Sequence, residues 1–280
     1  MSATAKLIGI DSFEIYLFSF GWFSLGASFL LARLVIAAEY ALGILLIAGF
    51  CPRLAGWGSF ALLAVLSAFL VWLLASGNHD NCHCFGEWVD LAPGQSLMKN
   101  AGMLVLLALG AGVQSGCSER MSSGRKALWA AIVAVVSLGA VLIVSPPDNW
   151  RYDAYSGSEP VNNGAFFGSL DDGVLPASIV DGEHVVCFYS LKCNFCKLSA
   201  RKLATLRSRG EFSEAPLIVI FGRGEDTDTA AFFADTGLVP DEIHFIDPAV
   251  FLRITNGTFP VILEMDGREI RGIWSYRNLH

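Results

Sequence analysis

Residues 54–75 run without a single charged side chain. About 20 apolar residues carry a helix across a bilayer core, and a run of this kind has few other stable fates. It is not alone. Residues 27–50 are as apolar apart from Arg33 and Glu39. Residues 127–144 carry no charge and end at Ser145-Pro146-Pro147. Residues 97–117 are apolar from Ala101 onward, with Lys99 and Asn100 near their start. The expected architecture is therefore a membrane bundle of four transmembrane helices.

Only 16% of the 280 residues are charged, against about 25% in ordinary soluble proteins. The deficit is concentrated in residues 15–145, whereas residues 148–280 have a soluble composition. Two domains follow: a membrane domain over residues 1–147 and a soluble domain over residues 165–280. A polar linker rich in Gly, Ser and Asn, residues 148–164, joins them. The net charge of −7, with no long Lys/Arg tract, argues against nucleic acid as a partner. Asp11 and Glu14 interrupt any apolar core after Lys6, so no signal peptide is expected and the first transmembrane helix is expected to direct insertion. Residues 13–23 are aromatic-rich and are expected to lie along the membrane interface.

Orientation follows from the short loops. With four spans, Arg53, Arg120, Arg125 and Lys126 share one side. Lys6, Asp11, Glu14, Asp80, Glu87, Asp90 and Lys99 fall on the other. Basic loops stay in the cytoplasm, which places the loop before the third span and the whole soluble domain outside a cytoplasmic (inner) membrane, in an oxidising periplasmic space.

In the soluble domain a strand over residues 184–189 precedes "SLKCNFCKLSARKLATLRSRG", where Leu198, Leu203 and Leu206 recur at near-helical spacing. "PLIVIFG" reads as a buried strand. Residues 226–236 suit a helix and residues 242–246 a strand, and "GTFPVILEMDGREIRGIW" carries a hairpin signature at Asp266-Gly267. Cys193 and Cys196 thus stand at the start of a helix, where the dipole favours a thiolate. Lys192 and Lys197 add positive charge. Cys193 is the expected nucleophile, and Cys196 would resolve the mixed disulfide. A structural disulfide or half of a zinc site are the alternatives, although no second CxxC here could complete a zinc site. Cys187 reads as core.

This order of elements resembles the thioredoxin family over roughly residues 166–275, on "CFYSLKCNFCK" and "TFPVILEMDG". The resemblance implies an α/β thioredoxin-like domain in which Pro260 is the cis-proline facing the dithiol. The chain stops at His280, which leaves no room for the family's usual last helix, and a shortened or a membrane-packed edge is expected in its place.

The stretch "GNHDNCHCFGEW" lies between the second and third spans. Cys82 and Cys84 can close a tight, strained and readily reduced ring, which suits an exchange site. His79, Cys82, His83 and Cys84 could instead ligate zinc or copper, but three consecutive residues cannot easily face one ion, so no tightly bound metal is expected. "NCHCFGE", "LARLVIAAEYALGILLIAGF" and "SLMKNAGMLVLLAL" resemble the MauE family, in the wider DoxX-like group, over roughly residues 8–112. That family is linked to methylamine utilisation. The resemblance implies disulfide formation in a periplasmic client beside a thioredoxin-like partner, here fused in one chain. The fusion is similar to that of the vitamin K epoxide reductase family, whose four-helix members are quinone-linked. His83 stands where that signature commonly has glycine. Members also carry a hydrophobic helix before the segment like "IDSFEIY". Residues 1–12 are not expected to supply it, so residues 127–144 would be an added helix.

Arg33 and Glu39 are about 9 Å and about 120° apart on one helix, so they are poor direct partners. Each is expected to face the bundle interior, as a functional group or in an ion pair with another helix. Lys99 is a candidate partner for Glu39 or for a Cys82/Cys84 thiolate. Cys51 and Cys117 fall at cytoplasmic ends. The expected function is a membrane thiol–disulfide oxidoreductase. Extracytoplasmic protein dithiols would reduce Cys193–Cys196, which would pass electrons to Cys82/Cys84 and on to a membrane quinone near Arg33, Glu39 and Lys99. The same relay run as a reductase and a metal-binding or assembly module are the alternatives.

Overall fold

A computed structural model describes residues 2–49, 52–76, 93–113, 123–152, 161–224 and 228–279. The chain divides into two compact units. One comprises Met1–Leu17 with Gly26–Pro147, the other Phe18–Leu25 with Asp148–His280.

In the first unit, helices α1 (Ser2–Ile8) and α2 (Ile10–Ser19) precede four long ones: α3 (Leu25–Ala48), α4 (Pro52–Ala75), α5 (Pro93–Val113) and α6 (Ser123–Val144). Among the described residues, α3, α4 and α6 are long and apolar enough to cross a membrane. The helix α5 covers most of the third expected span. Small residues permit close packing between apolar helices. At Gly58 on α4 an added Cβ would lie 2.8 Å from Leu42 of α3. Asn100 Nδ2 donates to Ser67 Oγ at 3.2 Å, joining α5 to α4.

The N-terminal segment differs from expectation. Residues 13–19 do not form an exposed aromatic strip: Phe13, Tyr16 and Phe18 are buried. Ile10 and Phe13 are buried with Ala3, Ala32, Ile36, Ala37 and Val141 in one apolar cluster. Three pairs fix the direction of the segment: Tyr40 to Thr4 at 2.9 Å, Glu39 to Lys6, and Arg33 to Glu14 at 2.8 Å. Rising numbers on α1 and α2 meet falling numbers on α3, so the two run antiparallel. Residues 2–19 therefore supply a helical segment before α3. Lys6 and Glu14 are buried, but each is met by an opposite charge, Glu39 and Arg33, which removes the main cost of placing those two in an apolar bundle.

The second unit is built on a five-stranded sheet. After α7 (Asp148–Arg151) and α8 (Asn163–Asp171), a 3-10 turn (Ala177–Val180) leads into β1 (Glu183–Tyr189). Then come α9 (Asn194–Ser208), β2 (Leu217–Gly222), α10 (Thr229–Thr236), β3 (Glu242–Ile246), α11 (Pro248–Thr255), β4 (Val261–Asp266) and β5 (Glu269–Trp274). The strand order is β3-β2-β1-β4-β5. The pairs β1–β2 and β2–β3 are parallel, while β1–β4 and β4–β5 are antiparallel. Strands buried on both faces read as continuous apolar runs, and β1 and β2 do so. One face packs Val186, Phe188, Ile218 and Ile220 against Phe166, Leu170, Phe251 and Ile254. Alternation sends Cys187 and Tyr189 to the other face, where Tyr189 meets Phe232 of α10 with ring centroids 6.0 Å apart.

The polar stretch assigned to a linker ends sooner than expected. Val161 is already buried in the core, and Asn162 caps α8 by accepting from Ala165 N–H at 3.1 Å. At the far end, a Cβ on Gly272 would lie 2.0 Å from the Trp274 ring. Glycine there lets Trp274 fold back on β5.

Candidate dithiol site

Strand β1 delivers the chain to a tight turn, Ser190 to Lys192, and α9 begins immediately after it. Cys193 is the N-cap of α9, with extended backbone (φ −87°, ψ 117°). Its Sγ accepts from Cys196 N–H at 3.4 Å. A sulfur in this place takes the role that a Ser or Asp oxygen usually plays at an N-cap. The same N–H, with the dipole of the helix behind it, favours negative charge on that sulfur.

The two thiols have different surroundings. Cys193 is half-buried and Cys196 is fully buried. Cys196 Sγ accepts from Ser190 N–H at 3.3 Å, so each sulfur faces a backbone donor. Between them, Phe195 remains 45% exposed, which leaves an apolar ring on the surface beside the reachable thiol. The register Phe188↔Val261 puts Pro260 opposite Tyr189, and the Phe259–Pro260 peptide is cis. Pro260 thus stands at the end of β1 from which the dithiol turn departs.

Lys192 is exposed before the motif. Lys197 is drawn to Asp235 at 3.9 Å, and Arg201 pairs with that same carboxylate. Lys197 therefore shares its charge with α10 rather than holding it for the thiols. Cys187 is fully buried, and burial pushes its pKa up to about 12, so it stays a protonated core thiol at neutral pH. Burial also raises the neighbouring Tyr189 phenol well above its ordinary value.

Sequence reasoning missed the far side of this site. Tyr276 packs against Phe195 with centroids 5.4 Å apart, and Arg277 lies over the same Phe195 ring at 5.5 Å. Neither residue carries a motif. Their position depends on where β5 ends, and only the aromatic character of Tyr276 hinted at a packed terminal segment.

In the first unit, Arg33 is 1% exposed. Its guanidinium donates to Glu14 Oε2 at 2.8 Å, Phe29 O at 2.7 Å, Ser145 O at 2.8 Å and Pro146 O at 3.0 Å. Ser145 and Pro146 directly follow α6, so Arg33 satisfies carbonyls at a helix end that lacks intrahelical partners. Glu39 pairs with Lys6, not with Lys99, which corrects the expected partner. The reason is the antiparallel N-terminal segment, which brings Lys6 to that level of α3. Glu39 Oε2 is buried and has no hydrogen-bond partner among the described residues. Lys99 is half-buried on α5 and has interactions of its own. His79, Cys82, His83 and Cys84, and also Cys51 and Cys117, lie outside the described residues.

Residues 1–113 match the family of methylamine utilisation protein MauE. The match covers most of the helical unit and ends with α5. A protein named TlpB from Flavobacterium psychrophilum is 24% identical over 291 residues, covering 85% of this chain and 77% of that protein. Coverage of that extent reaches into both the MauE-matching segment and the sheet unit. No solved structure matches the chain. The protein is thus a membrane protein that combines a MauE-like segment with an α/β sheet unit.

Proposed function

We propose that the protein is a membrane thiol–disulfide oxidoreductase whose sheet unit is a thioredoxin-like domain. The observation that carries this reading is the pair itself. A half-exposed Cys193 caps a helix of 15 residues, and a fully buried Cys196 stands behind it. That asymmetry suits an attacking thiol and a resolving one. The strand order, the CxxC at the start of α9 and the cis-Pro260 at the end of β1 support the thioredoxin-like assignment.

In the forward direction, a thiolate of an extracytoplasmic client attacks Cys193 Sγ of the oxidised pair. The Cys193–Cys196 bond breaks and Cys196 leaves, held by Ser190 N–H. A second client thiolate then attacks the client sulfur and Cys193 leaves. The client gains a disulfide and the pair is reduced. The dithiol next passes its two electrons to Cys82–Cys84. Both pairs belong to one chain, which raises the effective concentration of one at the other. The positive-inside argument sets both pairs on the periplasmic side of the inner membrane.

A quinone is the proposed final acceptor and supplies two-electron chemistry when bound. Glu39 fits such a group, because its buried and unpartnered Oε2 can accept from a hydroxyl of a hydroquinone. Lys99 is the second candidate. Arg33 is assigned a supporting role, since its donors are committed to Glu14 and three carbonyls.

The test uses the full-length protein in nanodiscs, fully reduced, with and without a short-chain quinone. Thiol counting by mass spectrometry is expected to show Cys193 and Cys196 oxidised only when quinone is added. Persistence of both thiols with quinone present contradicts the forward reading. A pair found mostly reduced in cells points to the reductase direction.

A further inference from the structure

After β5 the chain does not run on as a strand. It closes a turn in which Asn278 Oδ1 accepts from Ser275 N–H at 2.5 Å and from Ser275 Oγ at 3.0 Å. The turn seats two side chains against the first turn of α9. Tyr276 is buried, and two cations lie over its ring, Lys202 Nζ at 5.0 Å and the Arg277 guanidinium at 5.1 Å. Lys202, itself fully buried in α9, donates to Tyr276 O at 3.1 Å. The terminal turn is thus pinned to the helix that carries both cysteines.

Arg277 then reaches onward. Its guanidinium lies 5.5 Å from the ring of Phe195, the exposed aromatic residue between the two thiols' positions. Its Nη1 donates to Asp148 Oδ1 at 3.2 Å and Oδ2 at 3.1 Å. Asp148 is 4% exposed, whereas about a third of the Arg277 side chain is exposed. A charge held rigidly by an aromatic stack and a buried carboxylate cannot turn away from the motif. Stacking of a guanidinium on an aromatic face contributes on the order of 0.5–1 kcal/mol even at exposed sites. The buried acid opposes it electrostatically while fixing its position.

Building on the thiol-exchange reading, we infer that the Arg277–Asp148 pair is a positioning and tuning device for the dithiol, in which Arg277 favours the Cys193 thiolate and Asp148 limits that effect. A thiolate is the attacking species, and nearby positive charge raises its fraction at a given pH. The two residues act through the field at the motif and through Phe195. The other charges flanking the motif are Lys192 before it and Lys197 after it. Lys197 is already shared with Asp235, and Lys202 is engaged by Tyr276. The three substitutions below leave all of them in place.

The inference predicts shifts of opposite sign. Full-length reduced protein in detergent is alkylated with iodoacetamide across a pH series, and the Cys193 peptide is followed by mass spectrometry. Arg277→Ala is expected to move the midpoint of the rate–pH profile upward by about half a pH unit, the size of effect that one charge exerts near a wet surface. Asp148→Asn is expected to move it downward by a similar amount, and Arg277→Lys to stay near wild type. A merely structural contact would lower the melting temperature in all three and shift no midpoint. Midpoints that ignore both substitutions, or that move in the same direction, overturn the inference alone. A wild-type Cys193 that forms no mixed disulfide with glutathione disulfide overturns the exchange reading beneath it, and the inference with that reading.

Discussion

Cys196→Ser accumulates a covalent mixed disulfide through Cys193, and Cys193→Ser forms none. That asymmetry is the largest effect expected from any pair of substitutions in the soluble unit. Cys193 is the half-exposed thiol at the helix start, whereas Cys196 has no exposed surface through which an outside disulfide could reach it. With Cys193 alone the first exchange proceeds and the second cannot, so the adduct persists. Turnover in a thiol-exchange assay is expected to fall on the order of a thousandfold or more in both variants, because residues that act as a unit fail as a unit. The adduct is read by mass spectrometry after reaction with glutathione disulfide. A stable adduct on Cys196 in the Cys193→Ser variant reverses the assignment of roles.

The second large effect lies in the helical unit and concerns stability. Arg33→Ala leaves the Glu14 carboxylate buried beside an empty space and strips hydrogen bonds from Phe29 O, Ser145 O and Pro146 O. Removing one member of a buried ion pair costs about 3–5 kcal/mol, because the remaining charge is uncompensated. The loss is expected as a fall of many degrees in the thermal unfolding midpoint of the detergent-solubilised protein. The double variant Arg33→Met with Glu14→Leu is expected to recover much of it, since well-packed apolar residues often replace a buried pair without loss. A single variant as stable as wild type, or a double variant worse than the single, contradicts the clamp.

Much of the soluble unit was legible because its signals are local. An apolar strand, a CxxC and a helical repeat of leucines fall in one short stretch, and Cys193 does start the helix. Asp266-Gly267 does turn β4 into β5. Other local signals went unread. Asp247-Pro248 followed by Phe251 and Ile254 carries an N-cap, a proline in the first turn and an apolar face, and it folds as α11 with Asp247 capping Ala249 N–H at 2.8 Å. Asn162 and Phe166 gave similar notice of α8, but the Gly and Asn around them read as linker.

The N-terminal segment failed for a different reason. A hydropathy window charges Lys6 and Glu14 their full cost as isolated ions. The partners that cancel it, Glu39 and Arg33, lie more than a helix away in sequence and are found only by packing. For the same reason the sequence left Arg33 and Glu39 alike, whereas the structure separates them. Arg33 is committed on several sides, while Glu39 keeps one buried oxygen open. The Arg277–Phe195 contact was out of reach too, because no motif links the end of β5 to the start of α9.

The account stands or falls on electrons moving between the two cysteine pairs of one chain. The direct measurement is thiol trapping in isolated membranes. A reduced client-like dithiol is added, the reaction is stopped with acid and an alkylating reagent, and the state of Cys193 and Cys196 is compared between wild type and Cys82→Ser/Cys84→Ser. The account predicts that the wild-type pair returns to the disulfide while the variant pair stays reduced. Reoxidation at the wild-type rate in the variant contradicts it.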